Sequence, residues 1–93
     1  MITPLTLRMV SVEWLDAYNE TDTGWKNLAD RGAIEDLRCV SIGWLVKHDK
    51  THIMVAAHLT GEGDDMHYCG EMIIPKAAIT EIVDLKAVIL KKK

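Results

Sequence analysis

The decade Arg38-Cys39-Val40-Ser41-Ile42-Gly43-Trp44-Leu45-Val46-Lys47 decides how the chain is read. Val40, Ile42, Trp44 and Val46 alternate with Cys39, Ser41, Gly43 and Leu45, the period of two that belongs to a strand. Both sets are apolar or small, as expected of a strand covered on both faces. Gly43 stands in the middle of this run. A glycine there weakens a flat strand but permits a sharp bend, so it reads either as a bending point or as a small neighbour of the bulky Trp44.

Working outward, His48-Asp49-Lys50-Thr51 forms a tight polar turn, and His52 to Thr60 (HIMVAAHLT) returns as the second half of a hairpin. Gly61-Glu62-Gly63-Asp64-Asp65 is a second, acidic turn. Met66 to Ile74 makes a further strand, which Pro75 ends because proline cannot donate to the ladder. Lys76-Ala77-Ala78 has the form of a single helical turn, and Ile79 to Leu85 (ITEIVDL) is the last strand. Upstream, Leu7 to Trp14 alternates as a half-buried first strand, with Val10, Val12 and Trp14 on one face. A polar stretch from Asp16 to Gly24 follows. Trp25 and Leu28, three apart, suggest a short helix that Asp22 or Thr23 would cap and Gly32 would stop, with another helical turn over Ala33 to Leu37.

Five strands in 93 residues point to a mostly β protein, a small, strongly bent five-stranded barrel or a rolled sheet. One or two short helices are expected between its first two strands. The length fits one domain, residues 1–93, with a core over about 7–85 and a basic tail over 86–93. No run approaches the length of a membrane span, and Met1-Ile2-Thr3-Pro4 lacks the layout of a signal peptide. A cytoplasmic protein is expected, with Cys39 and Cys69 as reduced thiols. The net charge of −3 lacks the basic excess of a typical nucleic-acid binder.

The run Gly43 to Asp49, with Met54-Val55-Ala56 after it, resembles the first motif of the Sm-like family. Ile74-Pro75-Lys76-Ala77-Ala78-Ile79-Thr80-Glu81-Ile82 is similar to the second motif, in its bacterial Hfq version. The chain also resembles small Sm-like proteins of bacteriophages in Val12 to Ala17, in Trp25 and in Ser41 to Leu45. The resemblance covers roughly residues 38–85 and more weakly 7–37. It implies a five-stranded bent barrel that closes into a homo-oligomeric ring, the fourth strand of one subunit pairing with the fifth of the next. It also implies RNA or a small nucleotide bound at the pore or at subunit junctions. A phage-encoded protein would act in the host cytoplasm.

The family's base-recognition positions are altered. Ile53 and Thr51 stand where an asparagine and an aromatic residue sandwich a base, and Ala77 stands where Hfq has a histidine after its lysine. Lys76, His48 and Asp49 carry over as candidate ligand contacts. Trp25, in the polar connector, is the tryptophan expected to meet a ligand or a neighbouring subunit, while Trp14 and Trp44 suit core packing.

Other chemistry is weakly signalled. His58, His67, Cys69, Asp64 and Asp65 lack the paired spacings of a zinc site. Neither cysteine has the base and orienting group a nucleophile needs. The Gly61–Asp65 loop has neither a calcium-loop ligand series nor the lysine of a phosphate cradle. No enzyme, metal or cofactor is therefore expected. The alternative to a nucleotide or RNA binder is a protein-binding scaffold, or an inhibitor of a host protein, with no nucleic-acid ligand.

Overall fold

A computed structural model describes residues 6–19, 24–86 and 90 of the chain. Five strands are present: β1 (Met9–Asp16), β2 (Leu37–His48), β3 (His52–Thr60), β4 (His67–Pro75) and β5 (Ile79–Leu85). All neighbours run antiparallel in one sheet of order β4-β3-β2-β1-β5. The connections from β2 to β5 are short. Asp49 to Thr51 turns β2 into β3, and a 3-10 turn over Lys76–Ala78 leads from Pro75 into β5.

The connector between β1 and β2 departs from the sequence reading. Among its described residues the only regular element is a 3-10 turn, Leu28–Asp30. Its cap is Asn27, whose side-chain oxygen accepts from the Ala29 amide at 2.9 Å. Asp22 and Thr23 lie outside the described residues. The helical turn expected over Ala33 to Leu37 does not form. Residues 31–36 carry no regular structure, and Leu37 already belongs to β2, paired with Asp16. The apolar spacing that suggested a helix here belongs to exposed side chains, Ile34 and Leu37 among them, with no neighbouring element to pack against.

β2 serves two partners in succession. Its first part pairs with β1 from Leu37 to Trp44, and its last part pairs with β3 from Trp44 to His48. The change of partner falls at Gly43. A Cβ placed on Gly43 would stand 2.6 Å from the Ala56 carbonyl oxygen, so β3 crosses β2 where β2 has no side chain. The bend brings β1 and β3, separated in the sheet by β2, into one core. Val10, Val12, Ile53, Val55 and Ile74 form its buried cluster, with Trp14, Leu45 and Ile79 packed against it. Trp14 joins the core edge through its indole N–H, which donates to the Ser41 hydroxyl at 3.0 Å.

This core is small. Only six hydrophobic residues among those described are buried, whereas Val40 and Ile42 on β2 and Ile73 on β4 are each more than half exposed. The sheet is not closed: β4 pairs only with β3, and β5 only with β1. No helix is long and apolar enough to cross a membrane among the described residues.

Candidate functional site

The turn between β2 and β3 is built by one carboxylate. Asp49 Oδ1 accepts from the amides of Thr51, at 2.8 Å, and His52, at 2.7 Å, and from the Thr51 hydroxyl at 3.2 Å. Aspartate suits this place because its short side chain reaches the backbone two and three residues on. The amide of Thr51 and then that of His52 hold the Asp49 carboxyl below its ordinary pKa. The turn is also tied to the next one along the sheet end, since the Lys76 amide donates to the Thr51 carbonyl at 2.8 Å. Residues 49–51 and 76 are therefore joined, although the whole of β3 and β4 lies between them in the chain.

Next to this turn lies a groove of about 250 Å³, lined by Lys47, His48, His52, Ile53, Met54 and Ile73 together with Asp49. A bulge in the β2–β3 pairing shapes its wall. Leu45 pairs with Val55 but Lys47 with Met54, which leaves Val46 as the extra residue. Such a bulge re-aims the side chains that follow it, and here Lys47 reaches the groove beside Met54. His48 and Ile53 also line a second cleft of about 120 Å³, with Arg8, Val10, Leu45 and Ile82. Across that cleft the Arg8 guanidinium grips Asp84 in a two-pronged ion pair, through Nε to Oδ1 and through Nη2 to Oδ2 at 3.2 Å. The Arg8 hydrogen bond holds the Asp84 carboxyl below its ordinary pKa.

The charge balance at this end differs from that of the whole chain. Lys47, Lys50 and Lys76 are exposed, and none of them forms an ion pair with another described residue. Of the carboxylates there, Asp84 is paired with Arg8, while Asp49, hydrogen-bonded by the turn amides, keeps its negative charge and leaves the three lysines in excess. His48 and His52 add two further nitrogen donors. An acidic chain thus presents a cationic end, which net charge alone conceals.

Of the residues the sequence singled out, His48 and Asp49 line this groove, Lys76 is tied to the same turn through its backbone amide, and Trp25 is not part of it. Trp25 is fully exposed and lines neither this groove nor the larger hollow of about 1080 Å³ beneath the connector. That hollow is walled by Asp16, Asp30, Glu35 and Asp36 against Lys26 and Arg31, a balance that disfavours an anion. Thr51 is held in the Asp49 turn, and Ile53 belongs to the core cluster with only an edge left to the groove. Lys47, Lys50, His52 and Arg8 were missed. The Lys47–His52 segment was legible as a cationic turn, but Arg8 is joined to Asp84 only through the β1–β5 pairing.

Cys69 is exposed and lies opposite His58 across β3 and β4, while Cys39 is half-buried; both are free thiols. No three metal-ligating side chains converge among the described residues. No family model matches the chain, and neither a curated protein nor a solved structure matches it.

Proposed function

We propose that this chain is a bent barrel subunit of the Sm-like kind, of phage type, that assembles into a ring and binds RNA or a small nucleotide through its cationic end. The observation that carries the reading is a groove lined by Lys47, His48 and His52 beside apolar Met54 and Ile73, with Lys50 in the same turn and Lys76 tied to that turn through its backbone amide. Phosphate contacts dominate nucleic-acid affinity, and this end supplies unneutralised ammonium groups for them. Ile53, Met54 and Ile73 supply an apolar floor for a base or sugar. The strand order supports the ring, because β4 and β5 each keep one edge open and a heterologous β4–β5 pairing between copies would cover both.

Fluorescence anisotropy with short U-rich and A-rich RNAs tests the binding, alongside a thermal-shift screen of mononucleotides, in which a ligand of the folded state raises its stability. Salt-dependent binding that Lys76→Ala weakens is the expected result; affinity indifferent to both salt and Lys76 would sink it. Native mass spectrometry tests the ring, and a monomer at micromolar concentration excludes it.

A second reading, a scaffold that binds a host protein, is favoured by one observation: Val40 and Ile42 stand more than half exposed on β2. A protein captured from host lysate and released by Ile42→Asp would support it.

A further inference from the structure

β2 and β3 part company beyond Trp44 and Ala56. Up to that point their partners run Leu45 with Val55 and Trp44 with Ala56. Continued without a slip, the same antiparallel register would set Ile42 against His58, Ser41 against Leu59, Val40 against Thr60 and Arg38 against Glu62. None of these pairs forms. From Leu37 to Gly43 β2 is bonded only to β1, and from Ala57 to Thr60 β3 is bonded only to β4. The far half of the β3–β4 hairpin is thus a two-stranded arm with an open edge, and β2 keeps a second open edge that matches it in register.

Gly70 interrupts the ladder at the base of the arm. It sits at φ +68° within β4, and a Cβ there would approach the Ala57 Cβ to 3.1 Å. The Ala57–Gly70 step is accordingly missing from a ladder that otherwise pairs Ala56 with Glu71 and His58 with Cys69. The bend lies at the base of the arm, beside the crossing of Gly43 and Ala56. An isolated two-stranded hairpin is at best marginally stable in water, so an arm of this kind calls for cover.

We infer that two copies of this chain exchange their arms: the open β3 edge Ala57–Thr60 of each pairs with the open β2 edge Val40–Gly43 of the other. A second copy is the occupant that fits, for three reasons. Its β2 edge offers the register that the arm's own strand already follows. The pairing sets Glu62, which has no ion-pair partner among the described residues, against Arg38, whose guanidinium uses only Nη1 on Glu13 and keeps donors to spare. It also sets Thr60 and His58 as cross-strand neighbours beside Val40 and Ile42, which are 63% and 64% exposed. Reciprocal exchange is self-complementary and closes as a two-fold dimer. It uses β2 and β3, whereas the proposed ring uses β4 and β5, so either assembly can stand without the other.

Single-cysteine chains test the exchange. In a background with Cys39→Ser and Cys69→Ser, one chain carries Val40→Cys and another Thr60→Cys. The two are mixed, oxidised and resolved on a non-reducing gel, with circular dichroism confirming retained β structure. Ser41→Cys with Leu59→Cys repeats the test on the adjacent pair. The expected product is a disulfide-linked heterodimer, more abundant in the mixture than either homodimer. Two results overturn the inference: folded chains that yield no heterodimer with either pair, or a Val40→Cys/Thr60→Cys chain that closes only within itself. Native mass spectrometry separates this from the ring. Rings without 40–60 cross-links reject the exchange alone, and cross-linked dimers without rings reject the ring alone.

Discussion

Gly43 and Ala56 meet backbone to backbone: a Cβ at position 43 would stand 2.6 Å from the Ala56 carbonyl oxygen and 3.2 Å from its carbonyl carbon. No flexible side chain can yield there, so Gly43→Ala must move β3 away from β2. Overpacking of this kind costs about 1–3 kcal/mol. For a domain of this size each kcal/mol lowers the melting temperature by about 4–8 °C. Urea unfolding of Gly43→Ala and Gly43→Val measures this, with valine the more damaging. Wild-type stability in Gly43→Ala would mean that β3 does not cross β2 at this point.

How much of this was legible beforehand follows from local chemistry. β3 and β5 begin and end where the sequence placed them, because Asp49-Lys50, Gly61 and Pro75 interrupt apolar runs of period two. Gly43 reads from sequence as a bending point or as a small neighbour of Trp44, and the Ala56 carbonyl lies against it where β2 changes partner. The connector was misread over residues 33–37, since apolar spacing reports a helix only if some surface covers it. Whether the five strands close as a barrel or stay a rolled sheet was left open by the pattern, because alternation identifies a strand without naming its neighbours. The cationic end was half legible. Lys76, His48 and Asp49 were picked out, but the Val46 bulge that carries Lys47 to the groove depends on pairing with β3.

The Asp49 turn makes a prediction about pH. Its carboxyl is held below the ordinary value by the amides of Thr51 and His52, while in the unfolded chain it titrates near about 3.9. A depressed carboxylate contributes stability that is fully present above the unfolded value and is lost as pH falls through the folded one. Asp49→Asn should therefore lower the melting temperature near neutral pH and lose less on acidification than wild type. Thermal melts from about pH 7 down to about pH 2 check this. Parallel acid limbs for the two proteins would exclude a special role for this carboxylate.

The core prediction concerns Ile74, which is 1% exposed at the end of β4 and joins the cluster of Val10, Val12, Ile53 and Val55. Ile74→Ala should cost about 2–5 kcal/mol, through lost burial and the cavity left behind. Against a typical total of about 5–15 kcal/mol, one truncation in so small a core removes a large share. Ile73→Ala, at an exposed neighbour on the same strand, should cost far less in the monomer. If the two variants unfold at the same urea concentration, Ile73 is covered in solution by a second chain.

The cationic end predicts a salt signature. If Lys47, Lys50 and Lys76 each contact one phosphate, removing one should lower the slope of log affinity against log salt by about 0.7 for a single strand. The three alanine variants should weaken U-rich and A-rich RNAs alike, because phosphate contacts position a strand without reading its sequence. Anisotropy titrations across a salt series give both quantities. A variant that shifts preference between the two RNAs would instead place its lysine on a base.

Gly70 carries the last prediction, because it bends the arm without belonging to any turn. Its φ of +68° is left-handed, and a side chain there costs roughly 1–2 kcal/mol. Contact with the Ala57 Cβ at 3.1 Å asks for a further shift. The cheapest relief is a return of residue 70 to ordinary extended geometry, which would restore the missing Ala57–Gly70 step and redirect the arm. Gly70→Ala should therefore change hydrogen exchange in the arm, at Ala57 to Thr60 and His67 to Glu71, more than at Val10 or Val12. It should also reduce the 40–60 cross-link between copies, since the bend is what keeps each arm off its own β2. Were the bend only a local irregularity, Gly70→Ala would lose stability while the exchange pattern and the cross-link stayed as they were.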